Sequence, residues 1–187
     1  MIGSILAMAA LQLAMPDSAE WLRYQRGEII GGEVWRLLSN HLIHLTWAHF
    51  VMNALGAALL CALFPRLFAP RFAVVMFVAI GLAVSLGLLA FNPNVNWYVG
   101  LSGVLHGVFV IGAWREVRSG RWDGALMLVL LALKVGWEQL YGPLPGSAET
   151  AGGPVVEDAH LYGAIAGIVF ALVQFHVLPR LAAHPTS

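Results

Sequence analysis

Six apolar segments, separated by polar or charged stretches, run along the chain. They lie near residues 1–15, 44–64, 70–91, 99–114, 123–141 and 159–178. A helix needs about 20 residues to cross the hydrocarbon core of a bilayer, so most of the chain is predicted to lie in the membrane. The pattern predicts an all-α fold, a polytopic bundle of six membrane helices that forms one domain over residues 1–187. The first segment is short for a span and a poor match to a cleaved signal peptide, which leaves the native start open.

The composition supports an integral membrane protein. Hydrophobic residues make up 59% of the chain, charged residues 11%, and the mean hydropathy is +0.77. The formal net charge of zero makes nucleic acid an unfavoured partner, and the bilayer itself becomes the expected surroundings. The single cysteine, Cys61, lies inside a predicted helix and is interpreted as a packing residue. No internal repeat divides the chain, which argues against an inverted-repeat transporter.

Basic residues are concentrated at one end of the predicted helices. The loops at 65–71 and 115–121 and the C-terminal tail carry Arg66, Arg71, Arg115, Arg118, Arg121 and Arg180. The connections at 92–98 and 142–158 contain no Lys or Arg, while the connection at 16–43 has mixed charge. Because cytoplasmic loops retain Lys and Arg, the arginine-rich end is predicted to face the cytoplasm, with both termini inside.

The fourth segment is shorter than a bilayer core. From Gly100 to Trp114 it would extend roughly 22 Å, against about 30 Å of hydrocarbon. Its start is therefore predicted to lie below the outer surface, where unpaired backbone N–H groups must face protein or a watery cavity. The preceding stretch from Asn92 to Asn96 has turn chemistry and suits a loop that dips toward this buried start.

Three short motifs lie at the outward-facing ends of three different segments. They are His49-x-x-x-Asn53, Gly100-Leu101-Ser102-Gly103 and His160-x-x-Gly163-x-x-x-Gly167. Together they supply a nucleophile, a base and an oxyanion donor, which points to acyl-transfer chemistry. Each motif alone has a structural alternative, namely close packing of small residues or a hydrogen bond between helices.

With Glu33-Val34-Trp35-Arg36 in the first outer loop, these motifs resemble the rhomboid family of intramembrane serine proteases. The resemblance covers residues 33–167. It implies that Ser102 is the nucleophile and His160 the general base, in a dyad without an acidic third member. It also implies that Asn53, His49 and the Ser102 backbone N–H stabilise the oxyanion, and that Trp35 and Arg36 are structural.

The same resemblance assigns supporting roles to the motif glycines. It implies that Gly163 and Gly167 let the sixth helix approach the fourth closely, with Gly100 and Gly103 flanking the nucleophile. It implies no cofactor and no metal. No pair among the seven histidines has the facing arrangement that axial haem ligation would need.

His106 departs from the family pattern, in which an aromatic residue, often Tyr, occupies this position. It lies four residues after Ser102 and so on the same helix face, which makes it a rival base. Stacking, orientation and proton transfer all remain open for its ring. His160 is favoured as the base because a histidine on the same helix must bend back against its rotamer preference. No acid for a triad is evident, since Asp158 is predicted to point away from His160.

The stretch from Gly100 to Gly107, the small size and a Lys134/Glu138 helix resemble the bacterial rhombosortase branch. The resemblance implies a multi-pass protein of the bacterial inner membrane whose active site opens to the periplasm. Its substrates would be single-pass proteins with a C-terminal Gly-Gly motif, a membrane helix and a basic tail. Cleavage would occur near the glycines, with water or an amine as the acyl acceptor. A general rhomboid protease with other single-pass substrates and a non-catalytic rhomboid-like binder are the alternatives.

Lys134 and Glu138 are four residues apart inside the fifth apolar segment. The simpler interpretation is a local ion pair or snorkelling near the helix end. In the functional alternative, Glu138 faces the cavity and helps to select the substrate or accept an amine. His41 and His44 are expected to make loop or interface contacts rather than to bind a ligand.

Overall fold

The computed structural model describes the backbone of residues 2–177 and the side chains of residues 6–175. Each of the six predicted segments contains a helix, and the predicted all-α fold is confirmed. The six helices are α1 (Ile2–Leu13), α5 (Trp47–Leu63), α6 (Pro70–Phe91), α7 (Ser102–Arg118), α8 (Trp122–Tyr141) and α10 (Glu157–Leu172, continued by a π-turn at Val173–Val177). Arg180, which we expect on the cytoplasmic side, lies outside the described residues.

Among the described residues, three helices are long and apolar enough to cross a bilayer: Pro70–Phe91, Trp122–Tyr141 and Glu157–Phe175. A fourth span results if Arg36–Leu42 and Trp47–Leu63 are joined across their 93° bend. The helices α1 and α7, with 12 and 17 residues, are shorter than the roughly 20 residues that a full span needs. The chain is a multi-pass membrane protein.

The prediction for the end of α7 is wrong. The helix begins at Ser102 and ends at Arg118 rather than near residue 114, so Arg115 and Arg118 belong to its last turn. Positive side chains are favourable there because the C-terminal end of a helix carries partial negative charge. At about 25 Å, the helix is still shorter than the hydrocarbon core.

The connection at 16–43 is folded rather than an open loop. It contains the short helices α2 (Asp17–Leu22), α3 (Arg26–Ile30) and α4 (Arg36–Ser39), followed by a 3-10 turn at Asn40–Leu42. A two-residue strand, β1 (Tyr24–Gln25), pairs antiparallel with β2 (Trp97–Tyr98) in the loop before α7. A further short helix, α9 (Ser147–Ala151), lies between α8 and α10.

Arg36 holds this connection together from a buried position. Its side chain is bonded to the Glu33 carboxylate at 2.6 Å and to the backbone oxygens of Glu20 and Arg23 at 2.9 and 3.0 Å. Trp35 donates to the backbone oxygen of Trp21. These contacts give both residues a structural role within the connection.

Helices α7 and α10 pack backbone to backbone through glycines. A Cβ atom on Gly163 would lie 1.9 Å from the Gly103 carbonyl oxygen, and one on Gly167 would lie 2.5 Å from that of Gly107. Likewise, a Cβ on Gly107 would lie 2.6 Å from the Gly163 oxygen. No side chain fits between these backbones, so the glycines set the spacing at which α7 and α10 present their side chains to each other.

Candidate active site

Ser102 is the first residue of α7, and the turn before it requires glycine. Gly100 has a φ of +121°, and a Cβ there would lie 2.9 Å from the His49 ring. The Gly100 N–H donates to the Asn40 carbonyl at 3.0 Å, and its own carbonyl accepts from the Tyr98 hydroxyl at 3.1 Å. Burial raises the pKa of Tyr98 to about 12, so the phenol stays neutral and acts as a donor.

His41 also supports this turn. Its Nδ1 lies 3.2 Å from the Gly100 oxygen, and its Nε2 lies 2.9 Å from the oxygen of Gly81 on α6. His41 and His44 are both completely buried. His41 contacts the Gly100 carbonyl in the loop before α7, which agrees with the expectation of a loop contact. Sequence patterning does not reveal these particular contacts, because they join residues 59 and 40 positions apart.

The imidazole of His160, on α10, lies against the Ser102 hydroxyl. The distance from His160 Nε2 to Ser102 Oγ is 3.0 Å, and His160 is 6% exposed. This is a hydrogen-bond distance in the geometry that a base needs to take a hydroxyl proton. The structure thus brings together the serine and histidine of two separate motifs.

On the other side of the imidazole lies a carboxylate from α8. Glu138 Oε2 is 2.9 Å from His160 Nδ1 and 2.7 Å from Lys134 Nζ, and Glu138 is 4% exposed. The expectation that no acid accompanies the histidine is therefore wrong. Asp158 does point elsewhere, because its carboxylate accepts from the Asn92 side chain.

The sequence signal for Glu138 was its spacing from Lys134, which indicates an ion pair within one helix. That ion pair is present at 2.7 Å. The contact to His160 crosses from α8 to α10, however, and spacing along one helix carries no information about it. The ion pair and the contact to the histidine therefore coexist, so a local ion pair and a position in the site are not alternatives for Glu138.

The ring of His106 stacks on the ring of His160. The centroids are 4.3 Å apart and the planes differ by 16°. His106 Nδ1 lies 2.7 Å from the Ser102 backbone oxygen, and Nε2 lies 2.7 Å from Lys134 Nζ. An ammonium group only donates, so Nε2 accepts and Nδ1 carries the proton. Both nitrogens are thus occupied, and neither is bonded to the Ser102 hydroxyl.

His49 and Asn53, both on α5, line a cavity with Ser102. One amide hydrogen of Asn53 is bonded to the His49 carbonyl at 3.0 Å, and an amide group has a second donor. His49 packs edge-on against His44, with ring centroids 5.0 Å apart. The structure therefore brings both predicted oxyanion donors to the cavity that contains the serine.

Ser102, His49 and His160 lie where two cavities of about 290 and 530 Å³ adjoin. The smaller one is bounded by the loops at 94–99 and 154–156, and the larger one reaches Asn53, His106 and Glu138. Volumes of this order are typical of ligand-binding clefts.

A metal ion does not suit this cluster. One ligand atom each from His106, Glu138 and His160 lies within 4.8 Å of the others. The Lys134 ammonium, however, lies 2.7 Å from the first two and 3.1 Å from the third. Its positive charge takes the place that a cation would need.

The family model for the Rhomboid domain matches residues 31–177. The rhomboid protease GlpG of Salmonella choleraesuis (strain SC-B67) is 27% identical over 181 residues, which is 93% of this chain and 61% of that protein. The GlpG proteins of Salmonella newport and Salmonella typhimurium are each 26% identical over the same shares. The chain thus spans about three fifths of the length of these relatives. By the extent of the domain match, the chain belongs to the rhomboid family.

Proposed function

We propose that the protein is an intramembrane serine endopeptidase in which Ser102 is the nucleophile and His160 the general base. The observation that carries this proposal is the 3.0 Å distance between Ser102 Oγ and His160 Nε2 beside a cavity. The similarity to proteins named rhomboid protease supports it. A rhomboid-like binder without activity would have no need for this pair.

The proton and electron movements follow from this geometry. Ser102 Oγ attacks the scissile carbonyl carbon, and its proton passes to His160 Nε2 while the carbonyl oxygen becomes negative. As the tetrahedral intermediate collapses, the C–N bond breaks and Nε2 returns the proton to the leaving amine. Water or an amine then attacks the acyl carbon and gives its proton to His160 Nε2. The bond from the acyl carbon to Ser102 Oγ breaks, and Nε2 returns the proton to Oγ.

The developing oxyanion would be stabilised at the start of α7. The first N–H groups of a helix have no partner within the helix and lie at its positive end. The Ser102 backbone N–H, the Asn53 amide and His49 are the donors that we assign to this oxygen. Donors fixed in place before the reaction need no reorganisation as charge develops.

We assign a substrate with a Gly-Gly junction followed by a membrane helix and a basic tail. Glycine destabilises a helix by roughly 1 kcal/mol relative to alanine and has no side chain, so such a junction unwinds readily into a narrow cavity. The resemblance of residues 100–107 and of Lys134/Glu138 to rhombosortases supports this choice over a general rhomboid substrate. Supporting roles in the site go to His106, Gly100, Gly103, Gly163 and Gly167.

For location, we propose the bacterial inner membrane with the cavity open to the periplasm. The argument is the distribution of charge: Ser102 begins α7, whereas Arg115 and Arg118 end it. Arg71 lies in the first turn of α6 and Arg66 in the 3-10 turn just before it, and the opposite end of α6 leads into the loop before Ser102. By the positive-inside rule, the arginine-bearing ends face the cytoplasm.

The test is cleavage of a single-pass reporter that carries Gly-Gly, a membrane helix and a basic tail. We expect wild type to cleave it, Ser102→Ala and His160→Ala to show only background, and His106→Ala to keep partial activity. Ser119→Ala is the matched control, because Ser119 is exposed at the opposite end of α7. Full activity of Ser102→Ala would end the serine protease proposal, and an active His160→Ala beside an inactive His106→Ala would reassign the base.

A second reporter separates the substrate classes. Replacing Gly-Gly by Val-Val should abolish cleavage, whereas equal cleavage would indicate a general rhomboid protease. Mass spectrometry of the released product tells hydrolysis from transfer to an amine. A fluorophosphonate that labels Ser102 in wild type and not in Ser102→Ala tests the nucleophile without any substrate.

A further inference from the structure

We propose that Glu138 is a positioning residue for His160. Its carboxylate accepts the Nδ1 proton of His160, so that Nε2 keeps the lone pair that takes the Ser102 proton. Lys134 holds the carboxylate in this position. The inference rests on the proposed serine protease function and extends the pair of Ser102 and His160 to a triad that includes Glu138.

His160 Nδ1 has two competing neighbours. Glu138 Oε2, which can only accept, lies at 2.9 Å, and Lys134 Nζ, which can only donate, lies at 3.1 Å. If Glu138 is the partner, Nδ1 carries the proton and Nε2 is free to act as a base. If Lys134 were the partner, Nε2 would carry the proton and could not accept another from Ser102.

The ammonium group of Lys134 already has two other partners. It lies 2.7 Å from both Glu138 Oε2 and His106 Nε2, closer than its 3.1 Å distance to His160. Its shorter bonds therefore go to the carboxylate and to His106. The Nδ1–H of His160 therefore donates to the Glu138 carboxylate. Hydrogen bonds to a charged acceptor are stronger than those between neutral groups.

The Glu138 carboxylate also lies close to the positive charge that forms when the Ser102 proton moves to His160. When His160 takes the Ser102 proton, its imidazole becomes a cation although only 6% of the residue is exposed. Glu138, with a side chain 2% exposed, then lies next to this charge and stabilises it. Glu138 thus contributes through His160, without contact to the reacting atoms.

The ring of His106 also restrains the orientation of the His160 ring. It stacks on His160 at 4.3 Å while its two nitrogens bond the Ser102 carbonyl and Lys134. The plane of the His160 ring and its Nδ1 bond are therefore both fixed before substrate binds. A base that is already oriented needs no rearrangement at the moment of attack.

If Lys134 and Glu138 served only to balance each other's charge, a variant that removes both charges would remain active. Such variants therefore distinguish a structural role of the pair from a positioning role of Glu138. Glu138→Leu removes the acceptor and leaves Lys134 without its counter-charge. The double variant Lys134→Met/Glu138→Leu removes both charges, and replacing a buried ion pair by apolar side chains is often neutral for stability. Gln139→Ala is the control, since Gln139 is exposed on the same helix.

The assay is reporter cleavage by the full chain in proteoliposomes, with thermal unfolding measured in parallel. We expect kcat of Glu138→Leu and of the double variant to fall by roughly 10²- to 10⁴-fold with little change in KM. The double variant should unfold near the wild-type temperature. Glu138→Gln keeps an acceptor oxygen and should fall between wild type and Glu138→Leu, and Lys134→Met should lose less than Glu138→Leu.

Recovery of near wild-type kcat in the double variant would overturn the proposal, since the pair would then serve only charge balance. A greater loss in Lys134→Met than in Glu138→Leu would also overturn it. Ser102→Ala in the same assay reports on the protease itself. If Ser102→Ala is inactive and Glu138→Leu is as active as wild type, only the role of Glu138 fails.

The histidine tautomer provides a readout that needs no substrate. In protein labelled with ¹⁵N-histidine, the His160 signals are identified by their loss in His160→Ala. We expect a protonated Nδ1 in wild type and a shift toward protonated Nε2 in Glu138→Leu. A protonated Nε2 in wild type, or an unchanged tautomer in Glu138→Leu, would contradict the proposal.

Discussion

Replacing Gly163 by alanine perturbs the closest backbone contact between α7 and α10. The new Cβ would lie 1.9 Å from the Gly103 carbonyl oxygen, whereas real Cβ contacts are essentially never below 3.0 Å. The clash is with backbone and not with a flexible side chain, so no rotamer change relieves it. The two helices must therefore separate locally by roughly 1 Å.

This displacement acts directly on the proposed catalytic pair. Ser102 is next to Gly103, and His160 lies one turn before Gly163 on α10. A separation of this size would lengthen the 3.0 Å contact between Ser102 and His160 to about 4 Å, beyond hydrogen-bond range. A misplacement of about 1 Å costs on the order of 10²-fold in rate, and overpacking costs about 1–3 kcal/mol of unfolding free energy.

The measurements are reporter cleavage, the rate of fluorophosphonate labelling and thermal unfolding. Gly136→Ala on α8 is the matched control, because a Cβ there meets nothing within 4 Å. It should keep full activity and be as stable as wild type or slightly more so, since alanine is the better helix former. Wild-type cleavage and labelling by Gly163→Ala would refute the claim that this contact sets the spacing of the catalytic residues.

Three further predictions concern other parts of the molecule. His106→Phe should keep more activity than His106→Ala, because it retains a ring to stack on His160; equal inactivity of both would favour His106 as the base. Asn53→Ala should lower kcat by about 10²- to 10³-fold with KM unchanged, as expected for loss of an oxyanion donor; an unchanged kcat would remove Asn53 from that role. Arg36→Met should reduce the unfolding free energy by about 2–3 kcal/mol through loss of charged hydrogen bonds, and a thermal unfolding curve like that of wild type would contradict this.

The positions of the main helices could be predicted because long apolar stretches are a direct requirement of the bilayer. The end of α7 could not, because Arg115 and Arg118 read as loop residues although they lie in the last helical turn. The short helices between residues 17 and 39 also escaped prediction. Arg36 is bonded to carbonyl groups 13 and 16 positions away, and sequence patterning does not reveal such contacts.

In the candidate site, too, some residues could be predicted from the sequence and others could not. Ser102, His160 and Asn53 lie in recognisable motifs, so their types and spacing were informative. For Glu138 the sequence allows a local ion pair or a role in substrate selection, but it does not predict the contact to His160, which spans 22 positions and two helices. Long-range pairing of polar groups depends on how helices pack, and the hydrophobic pattern does not specify it.

The location of Glu138 affects how its variants must be interpreted. It lies on α8, in which 17% of the apolar stretch is buried inside the protein, against 33% for α6 and α10. Hydrogen bonds between helices in membranes average only about 0.6 kcal/mol, so the contacts of Lys134 and Glu138 secure α8 modestly. Loss of the pair should then change the docking of α8 less than it changes the orientation of His160. A large fall in kcat at an unchanged unfolding temperature therefore indicates a positioning role, because a helix held mainly by this pair would lose stability and activity together.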